Sequence, residues 1–257
     1  MKFLVLDLEL NKTGDADQGG ETTDIIQIGA VIYDTDTKSI LPQTFNRFVK
    51  HYDDRGRLSK FIVKLTGITN SIIENEGVDI ITATNDFYTF AKNNNISRVM
   101  QWGSGDIETL EAQYQDRCLN PTEDLLSIHK DSYKLFQNYE GTTSVTILMN
   151  ETPFKGAPLN LKHMYQLFAI SEGVSPRGGL ALCLKKIGLE FKGRKHNALD
   201  DAYNTAVLLD RILNNKKHHV AEFNKIIEEA YESFYSPSRG LTDVVTKDTI
   251  KDMLSRL

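Results

Sequence analysis

Two carboxylates interrupt an apolar run at the start of the chain, Phe3-Leu4-Val5-Leu6-Asp7-Leu8-Glu9-Leu10. In an extended strand alternate side chains share a face, so Asp7 and Glu9 point the same way with Cα atoms about 6–7 Å apart. Two like charges buried on one face are costly unless something positive sits between them. A hard divalent cation, which takes oxygen ligands, is the simplest such partner. The same segment also allows the Leu4, Leu6, Leu8 and Leu10 face to form the core and the acids to face water. On this stretch alone the two arrangements stand level.

Residues further along bear on the choice. Asp106 follows a Gly103-Ser104-Gly105 turn and opens a helical stretch. There an aspartate can cap the helix or line a cleft at a sheet end, and alone Asp106 favours the cap. In Lys195-His196-Asn197-Ala198-Leu199-Asp200-Asp201, Asn197 is expected as an N-cap. That places Asp200 at the third helical position, an ordinary site for an acid near the helix dipole. On a helical wheel Asp201 shares a side with Thr205, Leu208 and Ile212, and Asp200 with Asn204, Val207 and Arg211. Asp201 is therefore expected to face protein, with His196 one loop away. Four carboxylates can hold two cations about 4 Å apart, one for a nucleophile and one for a leaving oxygen. An imidazole with an ordinary pKa near 6.5 can take a proton from water near neutral pH. The combination fits in-line hydrolysis of a phosphodiester.

The elements that must position these groups follow from the apolar patterning. Strands are expected over residues 2–10, Ile25–Tyr33 and Thr44–Val49 as an antiparallel meander, and again at Ser97–Trp102. Helical signals cover Leu58–Leu65 ending at Gly67, Asp86–Lys92, Ile107–Arg117, Leu180–Ile187 stopping at Gly188, and Leu199–Leu213, the clearest of them. Leu159–Phe168 mixes strand and helix signals and its type stays open. A meander followed by alternating strands and helices implies an α/β fold with a mixed sheet flanked by helices. Residues 119–158, rich in turn signals, read as an insertion with room for a hairpin. Residues 215–257 read as a helical C-terminal extension with amphipathic stretches at Val220–Phe234 and Thr246–Leu257, suited to packing on residues 1–214 or to a homodimer or protein partner.

A chain of 257 residues with 40% apolar content can bury a sizeable core in one large domain, or in a domain with an extension. The net charge of −5 argues against a strong, sequence-blind polyanion binder. It leaves room for an enzyme that holds a few nucleotides through metals. Cys118 and Cys183 lie in different segments and read as reduced packing residues, without a zinc pattern. The N-terminal apolar run is too short and too acidic for a signal peptide, and no stretch is long enough to span a membrane. A soluble, cytoplasmic protein is expected.

The order D-x-E, then an aspartate in W-G-x-x-D, then H-x-A-L-D-D-A resembles the DEDDh 3′→5′ exonucleases of the ribonuclease H-like fold. Within them the chain is similar to the branch of KapD-type bacterial proteins and the eukaryotic histone-mRNA 3′-end exonuclease. Ile25–Val31, Leu58-Ser59, Leu65–Thr69 and Leu184–Asp201 continue the likeness, which spans roughly residues 1–118 and 159–213. The resemblance implies Asp7, Glu9, Asp106 and Asp201 as ligands of two Mg²⁺ or Mn²⁺ ions. Asp7 would bridge both, and Asp106 would hold the second partly through water. It implies His196 as the general base, and contacts from Leu8, Leu10 and Asn11 to the terminal nucleotide of RNA or single-stranded DNA with a free 3′ end. Nucleoside 5′-monophosphates are the expected products. Asn11 departs from the threonine often found at that position. Lys195, with Lys192 and Arg194, stands level between a phosphate contact and a solvated loop. Trp102 and Tyr203 could stack on bases, with core packing the favoured job, and His51, His129, His163, His218 and His219 read as surface or packing residues. Two other readings stay open: a polymerase-associated proofreading subunit docked through the tail, and a nucleic-acid-binding module without chemistry, against which the intact carboxylates speak.

Overall fold

A computed structural model describes residues 1–13, 22–50, 57–96, 98–130, 133–137, 143–147 and 151–214. In chain order the elements are β1 (Lys2–Thr13), β2 (Thr22–Asp34), β3 (Ser39–Phe48), α1 (Lys60–Thr66), α2 (Asn70–Glu76), α3 (Ile80–Asn93), β4 (Arg98–Gln101), α4 (Asp106–Leu119), α5 (Glu123–Ile128), β5 (Tyr133–Gln137), β6 (Thr143–Ile147), β7 (Leu159–Asn160), α6 (Leu161–Ser171), α7 (Leu180–Lys186) and α8 (Ala198–Leu213). Five strands form a mixed sheet in the order β3-β2-β1-β4-β7. β1, β2 and β3 are the antiparallel meander, and β4 and β7 continue the sheet parallel to β1.

β1 is central, and both its faces are covered. Leu4, Leu6 and Leu8 pack with Ile28, Ala30 and Ile32 of β2 against Ile80, Ile81 and Phe87 of α3 and Ile107, Leu110 and Tyr114 of α4. Phe3 and Val5 pack with Val31 and Tyr33 against α6, α7 and α8, represented by Phe168, Leu184, Leu208 and Leu209. A strand buried on both faces reads as a near-continuous apolar run rather than an alternating one. The solvent-facing alternative for Asp7 and Glu9 therefore does not arise: their face is the one covered by α8. Between Glu9 and Leu10 the register slips, since Glu9 stands opposite Gln27 and Leu10 opposite Ile25. The extra residue, Ile26, is a bulge that packs into a third cluster with Leu58, Ile62, Ile68 and Ile73 around α1 and α2.

Local chemistry sets most helix ends. The side chains of Ser59, Thr69, Asp79 and Thr122 accept N–H groups at the starts of α1, α2, α3 and α5. Gly67 ends α1 in a left-handed conformation with φ 75°. The open segment Leu159–Phe168 is strand and helix in turn, β7 running straight into α6. Within 119–158, β5 and β6 pair antiparallel, as the turn signals suggested. The segment also holds α5, which docks on the body of the fold. Leu125 is fully buried, Phe154 packs on Phe87 and Tyr88, and His129 Nε2 lies 2.9 Å from Asp79 Oδ1. Of its two readings, surface or packing, His129 takes the second: it is paired with Asp79 and largely buried. Cys118 and Cys183 are free and buried. Both amphipathic stretches of 215–257, and His51, His218 and His219, lie outside the described residues. Among the described residues no helix is long and apolar enough to cross a membrane.

Candidate active site

β1 brings Asp7 and Glu9 to the α8 side of the sheet, and β2 seats α8 beside them. Opposite Asp7 stands Gly29. A Cβ on Gly29 would lie 2.2 Å from Ala198 C and Leu199 N, so helix backbone rests directly on strand backbone there. Opposite Glu9 stands Gln27, fully buried, whose Oε1 accepts the Ala198 N–H at 3.0 Å. This close seating delivers the first turn of α8. Ligand oxygens of Asp7, Glu9 and Asp201 all lie within 4.8 Å of one another.

Asn197 is the N-cap of α8, accepting the Asp200 N–H at 3.2 Å, and Asp200 is the third helical residue. Asp200 Oδ2 accepts the Arg194 N–H at 2.8 Å, whereas Asp201 Oδ2 accepts the His196 N–H at 2.7 Å. Two adjacent aspartates thus divide the work, one holding the loop and the other turned into the acidic cluster. His196 takes a left-handed conformation, φ 60°, and its side chain is exposed. Asn204, grouped on the wheel with the outward side, is instead fully buried. It fastens the loop by accepting the Lys192 N–H at 2.9 Å and donating to Lys192 O and Asp200 O, both at 2.7 Å.

The capping role expected of Asp106 does not hold. Gly105, φ 112°, is the cap residue of α4 and no side chain caps it. The Ile107 N–H is taken by the buried amide of Gln101 at 3.0 Å. The Asp106 carboxyl is left to act on the cluster, where its charge bears on both Asp7 and Glu9.

No lysine or arginine pairs with these four acids among the described residues, and the only charge opposing the rise in their titration is that of His196, acting on Asp201. Asp7 keeps some solvent contact, yet burial, followed by the charges of Asp106, Asp201 and Glu9, holds its carboxyl well above the usual range. Burial, then Asp201 and Asp106, pushes Glu9 up to about 8. Asp106 rises to about 7 through burial and the nearby Glu108. Asp201 rises to about 6 through burial, moderated by the His196 N–H. Hard oxygen donors converging without a paired lysine or arginine are the donor set for divalent cations such as Mg²⁺ or Mn²⁺, so the residues fit the metals that the sequence implied.

The terminal-nucleotide contacts separate into two kinds. Leu8 packs in the α3–α4 layer, on the face of β1 away from the acids, and Leu10 packs against the same cluster. Their side chains therefore serve the core. Asn11 follows Glu9 on the acid face, is fully buried, and neither Oδ1 nor Nδ2 has a hydrogen-bond partner. Lys195 is exposed next to His196. Trp102 and Tyr203 pack partly buried in the second core, Trp102 with its ring 5.9 Å from that of Tyr165. Gln27 and Gln101 were missed in the sequence. The available signal was the one that exposed Asp7 and Glu9, a polar residue inside an apolar strand, in Ile25-Ile26-Gln27-Ile28 and Val99-Met100-Gln101.

A family model described as an exonuclease, RNase T, matches residues 4–164. Mouse ERI1 exoribonuclease 2 is 25% identical over 206 residues, covering 80% of this chain and 28% of that protein, so the chain spans little more than a quarter of this curated relative. Among solved structures, the nuclease domain of 3′hExo, described as a DEDDh family member bound to rAMP, aligns over 84% of this chain and 92% of that one, with 18% identity and a TM-score of 0.60. Cell-death related nuclease 4 aligns over 84% and 64%, with 21% identity and a TM-score of 0.58. Exonuclease I of E. coli in complex with single-stranded DNA aligns over 90% and 44%, with 15% identity and a TM-score of 0.53. At these identities the structural likeness is one of fold.

Proposed function

The chain belongs to the RNase T exonuclease family and has the ribonuclease H-like fold of its DEDDh members, and from that premise we propose that it is a metal-dependent 3′→5′ exonuclease. It removes nucleoside 5′-monophosphates from the free 3′ end of RNA or single-stranded DNA. The observation that carries the reading is the convergence of Asp7, Glu9 and Asp201 within 4.8 Å, with the Asp106 charge beside them and no lysine or arginine paired with them among the described residues. Asp7, Glu9, Asp106 and Asp201 would hold two divalent cations, Mg²⁺ or Mn²⁺. When bound, such ions supply a nucleophile at neutral pH and stabilise charge on the attacking and leaving oxygens.

The chain's own residues do the rest. His196 acts as general base. Its backbone is anchored on Asp201 while its ring stays exposed, so it can take a proton from water on the open side of the cluster and pass it to solvent. Asn11 offers an unpaired amide donor and acceptor on the acid face, suited to the polar groups of a terminal nucleotide. The backbone of Leu8 and Leu10 and the Lys195 ammonium complete the contacts to substrate. The clustered acids weigh against a binding module without chemistry, since such a cluster without cations is destabilising.

The test is a degradation assay on matched RNA and single-stranded DNA, labelled at the 5′ end, with the 3′ end free or blocked by a phosphate. A ladder shortening from the free 3′ end with 5′-monophosphate products is expected, with the blocked strand protected. Internal cuts, or equal decay of blocked and free strands, would contradict the reading.

A further inference from the structure

The two carboxylates that do not come from β1 arrive on helices, and the two helices are seated alike. The first N–H groups of a helix have no partner within it and are usually taken by a capping side chain. Here one such group in each helix is taken by a buried glutamine from a sheet strand. Gln27 Oε1 accepts from Ala198, the first residue of α8, and Gln101 Oε1 accepts from Ile107, the second residue of α4, both at 3.0 Å. Neither glutamine is more than 1% exposed. Both flank β1 at the acids, Gln27 opposite Glu9 and Gln101 beside Leu6, the residue before Asp7.

Each amide is locked at its other end as well. Gln27 Nε2 donates to Asn46 Oδ1 at 2.9 Å, and Gln101 Nε2 donates to Glu108 Oε2 at 3.2 Å. An amide accepts on one atom and donates on the other. A carboxylate would accept the helix N–H but donate nothing, and would add a fifth negative charge to the four already there.

We propose that Gln27 and Gln101 are paired positioning residues that fix Asp201 and Asp106 relative to Asp7 and Glu9, through the first turns of α8 and α4, and so set the affinity of the site for divalent cations. The inference rests on the metal-dependent reading above and adds to it the residues that set the spacing.

The full chain is titrated with Mn²⁺, with free ion followed by electron paramagnetic resonance, for the wild type, Gln27→Met, Gln101→Met and Gln27→Glu. Thermal unfolding and oligonucleotide kinetics are measured alongside. Each methionine variant keeps the length and loses the acceptor. Each is expected to weaken Mn²⁺ binding about 10- to 100-fold, the scale found for groups that orient metal ligands. The rate constant kcat should fall, with KM for the oligonucleotide within about 2-fold of wild type, as for a loss felt mainly in the transition state. Gln27→Glu keeps the acceptor but loses the donor to Asn46 and adds a charge, so its kcat should fall between those of the wild type and Gln27→Met. Folded methionine variants with wild-type Mn²⁺ affinity and kcat would overturn the proposal. If Gln27→Met does not fold, Gln101→Met carries the test at the other helix, and failure of both to fold would reduce the glutamines to folding residues. A wild-type chain that takes up no Mn²⁺ would overturn the metal-dependent reading itself.

Discussion

At the scale of single residues, the acids that make the site useful make the fold without cations less stable. The carboxyls of Glu9, Asp106 and Asp201 are raised to about 8, 7 and 6, so the folded state favours their protonated forms. Groups raised in this way contribute stability that is fully present below their unfolded values, near pH 4, and is lost as pH rises through about 6 to 8. The metal-free protein should therefore melt on the order of 5 °C lower at pH 8.5 than at pH 5. Mg²⁺ or Mn²⁺ should close much of that gap. Asp7→Asn should narrow it without metal while removing activity, because it deletes one charge from the cluster. Calorimetry across pH with and without Mn²⁺ checks this; a melting temperature that rises from pH 5 to 8.5 in chelator would contradict it. Asn11 is the other residue-scale case. If its unpaired amide meets the terminal nucleotide, Asn11→Ala should raise KM several-fold at little cost in folding stability, because no protein hydrogen bond is lost.

At the scale of elements, the site depends on how closely α8 sits on β2. Gly29→Ala places a methyl group against the backbone of Ala198 and Leu199. It should cost about 1–3 kcal/mol, the range for overpacking, and lower nuclease activity by moving Asp201 off Asp7. Urea denaturation and the rate on a short oligonucleotide read the two effects separately. The elements also show what was legible. α8 was clear from Asn197 and its long apolar stripe, and Asp201 was singled out by the wheel. The face of β1 that holds the acids could not be read from β1, because alternation distinguishes faces only when one of them meets water, and here both are buried. α2 and α5 were missed because each buries a single residue, Ile73 or Leu125, and so shows no repeating apolar face. The glutamine seats left only the mark of a polar residue in an apolar strand, and Asn204 left none, because its partners are backbone groups of Lys192 and Asp200 that only the folded loop brings to it.

At the scale of the whole molecule, the family model ends at residue 164, and the α8 that supplies Asp201 lies beyond it. Within the matched span, 119–158 is tied to the body by the largely buried His129–Asp79 pair and by Phe154 on the α3 aromatics. His129→Ala should cost about 1–3 kcal/mol, as expected for a largely buried hydrogen bond to a charged group. It should leave Mn²⁺ affinity unchanged, since the pair lies outside the acidic cluster; a loss of metal binding would place 119–158 nearer the chemistry than this structure does. The central claim is that four acids converge to hold the cations that hydrolyse a 3′-terminal phosphodiester. It is tested most directly by following release of nucleoside 5′-monophosphates from a 3′-terminated strand with Mg²⁺ or Mn²⁺, for the wild type and for Asp7→Ala. The predicted result is turnover that chelator abolishes and that Asp7→Ala lowers by about 100- to 1000-fold, the scale of losing transition-state charge stabilisation, with the variant still folded. Release that survives chelator or the loss of Asp7 would contradict it.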